Sequence, residues 1–222
     1  EVQVWKDVDG ILTADPRLCP DALPVDVVSF DEAAELAYFG AQVLHPLAMQ
    51  PARRVNIPVR VKNSYNPLAA GTLITLEGSR ARRQVTAITS KSDVQVVDIV
   101  STRMLGAHGF LARTFEAFAK HSISVDTIAS SEVSVSLTLN KNLALPRKGL
   151  DDTFAPSALD ALVGELSSIA EVRATGGHTI ITLIANVEKS SSVLADVFAV
   201  MTSRGIQVEM LSQGASKVNI SL

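Results

Sequence analysis

Gly109-Phe-Leu-Ala-Arg-Thr-Phe115, running on to Ile123-Ser-Val125, decides how this chain is read, because it occurs twice. Val193-Leu-Ala-Asp-Val-Phe198 runs on to Ile206-Gln-Val208 with the same spacing. Leu111 matches Leu194, Ala112 Ala195, Phe115 Phe198, Ile123 Ile206 and Val125 Val208, all at one offset. A constant offset marks one supersecondary unit used twice. Around the first copy the pattern predicts a strand over 93–101 and an amphipathic helix over 109–121, with Phe110, Leu111, Thr114, Phe115 and Phe118 on one side. Strands follow over 123–129 and 133–139. After a loop over 140–153 comes a helix with Pro156 in its first turn and a stripe of Leu159, Leu162, Val163 and Leu166. A strand over 170–174 closes the unit. The order β-α-β-β-α-β is the ferredoxin-like split arrangement. Around the second copy the expected elements are strand 178–185, helix 190–204 and strands 206–212 and 217–222, a unit without its last helix and strand.

The first third carries no copy of the repeat. Val2 to Trp5 alternates like a half-buried strand. Asp7-Val-Asp-Gly10 and Asp15-Pro-Arg17 are loop elements. Ser29-Phe-Asp-Glu32 is a capping box, since Ser29 can accept from the Glu32 NH while the Glu32 carboxylate reaches back. The helix it opens, with Ala33, Ala34, Leu36, Ala37 and Val43, must stop at His45-Pro46. A short helix over 47–54, a strand over 59–61, a turn at Asn63-Ser-Tyr-Asn-Pro67 and a strand over 73–76 follow. With a joint near 81–84, the expectation is an α/β chain of three parts: 1–80, 85–175 and 176–222.

Net charge is −3, so no cationic surface recommends nucleic acid as a partner. A hydrophobic content of 47% argues for a packed protein rather than a disordered one. Cys19 is the only cysteine, which excludes an intrachain disulfide and suits a reducing compartment. The apolar run 179–185 is of strand length, far short of the roughly 20 residues of a membrane span. The chain opens with Glu1-Val-Gln-Val-Trp5 and ends with Lys217-Val-Asn-Ile-Ser-Leu222, both in strand pattern, and is expected to be part of a longer polypeptide.

Three stretches resemble the C-terminal part of an aspartate kinase catalytic domain: Trp5-Lys-Asp-Val-Asp-Gly-Ile-Leu-Thr-Ala-Asp-Pro-Arg17, Phe30 to Pro46, and Val59-Arg-Val-Lys-Asn-Ser-Tyr-Asn-Pro67. Asp98 to Gly106, Gly109 to Ala112, Ile123 to Asp126 and Ser130 to Ser134 resemble that family's first ACT domain, and Ser212 to Ser221 its second. Lys6 and the Lys62-to-Pro67 stretch are most similar to plant-type, single-function members. The resemblance implies ATP-dependent phosphorylation of the L-aspartate β-carboxylate, the entry to lysine, threonine and methionine, with lysine feedback through the ACT pair. It implies a nucleotide site, with Mg2+, at Lys6, Asp7, Gly10, Leu12, Arg17, Gln42 and Val43. Asp7 would lie near the nucleotide or its metal, Gly10 would admit close backbone approach, and Arg17 would offer its fork to phosphates. Many members carry Thr at the position of Lys6, Tyr at Leu12 and Lys at Gln42. The family's Lys-Phe-Gly-Gly motif is absent, and so is any Gly-x-x-x-x-Gly-Lys-Ser/Thr loop. No catalytic group is therefore expected within these residues, and they alone should not turn over.

An amino-acid effector needs a home for its carboxylate, and backbone NH groups at a helix start suit it. Ala107, Phe110 and Leu111 are candidates through their main chains. The extra ammonium of lysine needs an acid, for which Asp126 and Glu132 are available. Family precedent adds Met104, Ser124, Val125, Ser130 and Ser131. Some members carry Ser at the position of Ala107. In the second unit Gln213-Gly-Ala replaces the Ser130-Ser-Glu stretch, so that unit is expected to pack and dimerise rather than bind lysine. The expected assembly is a homodimer through the ACT units, with S-adenosylmethionine a second candidate effector. The expected location is cytoplasm, or chloroplast stroma for a plant or alga. The competing reading is a regulatory chain that senses an amino acid and does no chemistry.

Overall fold

The computed structural model describes residues 1–39, 44–79, 84–101, 108–139, 157–185, 190–213 and 218–222. They form two compact units. One joins Glu1–Lys91 to Ile181–Leu222; the other is Ser92–Ile180.

In the first unit four strands stand in the order β1 (Val2–Lys6), β3 (Val59–Asn63), β4 (Thr72–Thr75), β2 (Val27–Ser29). β1 and β3 are parallel, with Val4 opposite Val61; β4 runs antiparallel to β3 and parallel to β2. The predicted capping box forms at helix α1 (Phe30–Tyr38): the Glu32 NH donates to Ser29 Oγ at 3.1 Å and the Ser29 NH to Glu32 Oε2 at 2.7 Å. Such a cap is worth about 1 kcal/mol. The helix ends at Tyr38, earlier than expected, with Phe39 as its C-cap. Helix α2 (Pro46–Arg54) starts from His45, whose Nδ1 accepts from the Leu47 NH. Ile11, Val28, Phe30, Leu36, Val61 and Ile74 are buried together.

Ala87 and Ile184 belong to that same core, which corrects the linear three-part scheme. Strand β5 (Val85–Val100) begins in this unit, where the Ile88 NH donates to the Thr13 carbonyl. Asn219 Nδ2 donates to Glu35 Oε2 at 2.7 Å, so the end of the chain is held by helix α1. The second copy of the repeat is therefore built beside the first lobe rather than standing alone over 176–222. Its strand β8 (Glu171–Ala185), helix α5 (Ser190–Ser203), β9 (Ser212–Gln213) and β10 (Asn219–Ser221) surround Leu183, Ala185, Val193 and Ile220, and Val85 packs against these. Val85 lies upstream of the first copy, a contribution the repeat did not predict. The expected strand over 206–212 is reduced to β9. Ile206 is 53% exposed, whereas its repeat mate Ile123 is 6% exposed.

The second unit holds the later part of β5, helix α3 (Phe110–Lys120), β6 (Val125–Ser130), β7 (Ser134–Leu139), helix α4 (Ala158–Leu166) and the start of β8. Its core is Val97, Ile99, Phe118, Val135, Leu137, Leu162 and Leu166, which takes Phe118, Leu162 and Leu166 from the helix stripes, whereas Leu111 of the first stripe is 41% exposed. Two expected strands, 170–174 and 178–185, are one strand. Gly177 adopts φ +82° inside β8, a conformation glycine takes at little cost, so the glycine pair does not end the strand. Hydrogen-bonded neighbours follow the order β6-β7-β5-β8-β10-β9, which leaves β6 on a sheet edge. No described helix is long and apolar enough to cross a membrane.

One hydroxyl fixes the path of the loop after β1. Thr72 is 1% exposed; its Oγ1 donates to the Val25 carbonyl at 2.6 Å and accepts from the Ile11 NH at 2.7 Å. Gly10, at φ +134°, passes so close that a Cβ would lie 2.6 Å from this oxygen. Thr72→Val keeps the shape and strands two buried backbone groups, so it should cost about 2–4 kcal/mol in urea denaturation, while Thr72→Ser should recover most of that.

Candidate functional site

Open α/β sheets bind ligands beyond the carboxyl ends of their parallel strands. One parallel pair, β1 and β3, ends at Lys6 and Asn63, which are register partners, while the parallel pair β2 and β4 ends on the opposite side at Ser29 and Thr75. The Lys6 carbonyl accepts from the Ser64 NH at 2.7 Å and from Ser64 Oγ at 2.8 Å. Asp9 accepts from Asn63 Nδ2 at 2.7 Å and from Asn66 Nδ2 at 3.2 Å. Asp7 is exposed and makes no hydrogen bond or ion pair among the described residues. One step back along the strands, Lys62 Nζ lies 5.8 Å from the centre of the Trp5 ring and donates to the Ala69 carbonyl.

The sequence-predicted nucleotide residues separate into groups. Lys6, half-buried, and Asp7 stand together at the strand ends. Gly10 is buried, and the space its missing side chain leaves is taken by Thr72. The close approach that its missing Cβ permits is to Thr72, within the fold. Leu12 is half-buried and bridges to Pro24. Arg17 is 87% exposed and turned onto Asp15, with Nη2 2.6 Å from Oδ2 and Nε 3.0 Å from Oδ1. Gln42 and Val43 lie outside the described residues. Sequence reading took Asn63, Ser64 and Asn66 for a turn only; their bonds to the loop after β1 are long-range and leave no local signal.

In the second unit, α3 starts from Gly109 in the left-handed region, with no side-chain cap and nothing beside its Cα among the described residues. Its first NH groups, among them those of Phe110 and Leu111, have no capping side chain, as an anion site requires. The Phe110 ring is buried in the core while Leu111 is exposed. Ser131 shapes the turn between β6 and β7: its Oγ accepts from the Ser134 NH at 3.1 Å, and its NH donates to the Ser134 carbonyl at 2.8 Å. Ser124, Ser130, Ser131 and Glu132 are exposed, and Val125 is half-buried. Met104 and Ala107 lie outside the described residues.

Asp126 has a feature the sequence did not disclose. Val125 pairs with Leu139 and Thr127 with Thr138, so Asp126 is the extra residue of a β-bulge on the edge strand. Bulges re-aim a side chain and twist an edge. The shift is braced by Thr138 Oγ1, which accepts from the Thr127 NH at 3.0 Å. Ser130 is four residue steps along the strand from Asp126, roughly 13 Å. The Ser101 NH, just past β5, donates to the Val133 carbonyl, so the serine turn lies at the end of the unit from which the chain goes on to α3. One copy therefore offers Ser130 and Ser131 at the opposite end of β6 from Asp126, with Ser124 on the Asp126 side. A cavity of about 320 Å3 between α3 and α4, lined in part by Arg113, Lys120 and Glu165, contains none of these residues.

Residues 1–63 match the amino acid kinase family and residues 97–144 match an ACT domain, so the chain joins a kinase-type segment to a regulatory-type one. Over all 222 residues it is 55% identical to Aspartokinase 3, chloroplastic, of Arabidopsis thaliana, spanning 39% of that relative's length. It superposes on E. coli aspartokinase III in complex with aspartate and ADP with a TM-score of 0.81 at 36% identity, covering 99% of this chain and 47% of that one. The same enzyme in complex with lysine and aspartate gives 0.78. Over its whole length the chain is similar to aspartokinases, of which it spans less than half.

The fork of Arg17 lowers the Asp15 carboxyl to about 2, helped by the Arg17 backbone NH. The folded value is below the unfolded one. The pair's contribution to stability is thus complete above about pH 4 and lost as pH falls through about 2. Carboxyl NMR should place the Asp15 titration near 2, and Arg17→Ala should return it towards 3.8.

Proposed function

We propose that this chain is the part of an aspartokinase that completes the nucleotide site and carries the amino-acid sensor. The parent reaction is transfer of the ATP γ-phosphoryl group to the β-carboxylate of L-aspartate, the first step towards lysine, threonine and methionine. What supports this is similarity over the full chain to a protein captured with aspartate and ADP and, separately, with lysine. At the strand ends Lys6 and Asp7 face the nucleotide, and the carboxylate of Asp7, unpaired among the described residues, suits a hard cation such as Mg2+. When bound, that ion would neutralise phosphate charge; phosphoryl transfer asks the protein mainly for positioning and electrostatics. Arg17 must then trade Asp15 for phosphate, two partners that fit the same planar fork. Likeness to chloroplastic relatives supports a plastid location.

Lysine is the effector of this reading, held by the second unit between two copies. The exposed edge of β6 is a ready pairing surface. Antiparallel pairing of two β6 edges centred on Ile128 brings Asp126 of one copy to Ser130 of the other. The acid then meets the serine turn, near the open start of α3, which a single copy keeps apart. The effector carboxylate takes the helix NH groups, its ammonium groups take Asp126 and Glu132, and the site is complete only in the dimer. S-adenosylmethionine is a further effector of this surface. Lysine controls the enzyme by binding the inactive arrangement better, by about 1–3 kcal/mol.

In the full-length polypeptide, aspartate-dependent ADP formation should fall when lysine is added. Calorimetry should show Asp126→Ala weakening lysine about tenfold or more, with aspartate binding unchanged. Absence of aspartate-dependent turnover would reject the enzyme reading. Unchanged lysine affinity would remove Asp126 from the site.

A further inference from the structure

Asp7 and Asp9 share one loop, yet they are treated differently. Asp9 takes the Asn63 and Asn66 amides, while Asp7 is left exposed. The Asn63 amide is oriented by a second bond, since its Oδ1 accepts from the Tyr65 NH at 2.8 Å. Nδ2 is thereby turned to Asp9. Next to it, the Ser64 NH and hydroxyl both hold the Lys6 carbonyl. Five hydrogen-bond donations thus join Lys6 and Asp9 to Asn63, Ser64 and Asn66, across the carboxyl ends of β1 and β3, the end at which open α/β sheets receive ligands. From the other side Thr72 holds the Ile11 NH. The short span that carries Asp7 is pinned on both flanks.

From this we infer that Asn63 and Asn66 are positioning residues for the nucleotide: through Asp9 they fix the loop that presents Asp7. This rests on the nucleotide reading above. The role of Asp9 is consumed in the clamp, so its carboxylate does not compete with Asp7 for cation or phosphate. The amides suit this task because they donate to a carboxylate without adding charge beside an anionic ligand. Loss of the clamp frees the loop, and the nucleotide must then pay for ordering it.

The test uses the full-length polypeptide, with ADP affinity by calorimetry and steady-state KM values for ATP and aspartate. Asn63→Ala with Asn66→Ala should weaken ADP and raise KM for ATP about tenfold, the loss being carried by KM for ATP rather than by kcat or by KM for aspartate. Asn63→Asp should be worse than Asn63→Ala, because it sets two carboxylates at hydrogen-bond distance. Combining Asp9→Asn with Asn63→Asp restores one donor and one acceptor with roles reversed, and should recover most of the loss. A merely structural contact would lower the melting temperature and active fraction of the variants and leave KM for ATP where it was, overturning the inference. Failure of the swap to improve on Asn63→Asp would overturn it as well. If the unaltered protein binds no ADP, the nucleotide reading itself fails; if it binds ADP and every variant binds equally, the clamp alone fails.

Discussion

The loop at the carboxyl end of β1 is governed by a shortage of space around one buried hydroxyl. Thr72 satisfies a carbonyl from the segment before β2 and an NH from the segment after Gly10. Only a residue without Cβ can pass this oxygen at the observed distance. The loop between β1 and Ile11 therefore has one route, across the carboxyl ends of β1 and β3. That route sets where Asp7, Asp9 and Lys6 emerge, and hence what kind of ligand this edge of the sheet can receive.

Much of the secondary structure was legible because it is written locally. Ser29 and Glu32 announced a helix start that the structure reproduces bond for bond. The stripe of Leu159, Leu162 and Leu166 announced a helix that buries all three. The duplicated helices at 110–120 and 190–203 followed from the repeat. What the repeat could not convey is which strands each copy recruits. Val85 and Ala87 precede the first copy in sequence yet pack with residues that follow it. Local periodicity is blind to such exchange, because the deciding contacts lie far apart in the chain. Ile123 and Ile206 show the same limit, since identical patterns meet different neighbours.

The sensor half was legible as a set of residue types and not as a geometry. Serines near a turn and an acid on a strand suggested a zwitterion site, and the structure places them on one edge strand. The bulge at Asp126 depends on a Thr138 side chain capturing the Thr127 backbone, a cross-strand event with no sequence signature. Asp126 and the serine turn stand apart along β6. In the first unit Arg17 is paired with Asp15, two residues before it, on an exposed loop.

Trp5 is the sole tryptophan of these 222 residues, and it abuts the Lys62 ammonium immediately before both strand ends. Indole emission is sensitive to a nearby cation, so nature has set an optical gauge one residue from Lys6. Changes in brightness or colour of this ring report on the crossing of β1 and β3 without any attached dye.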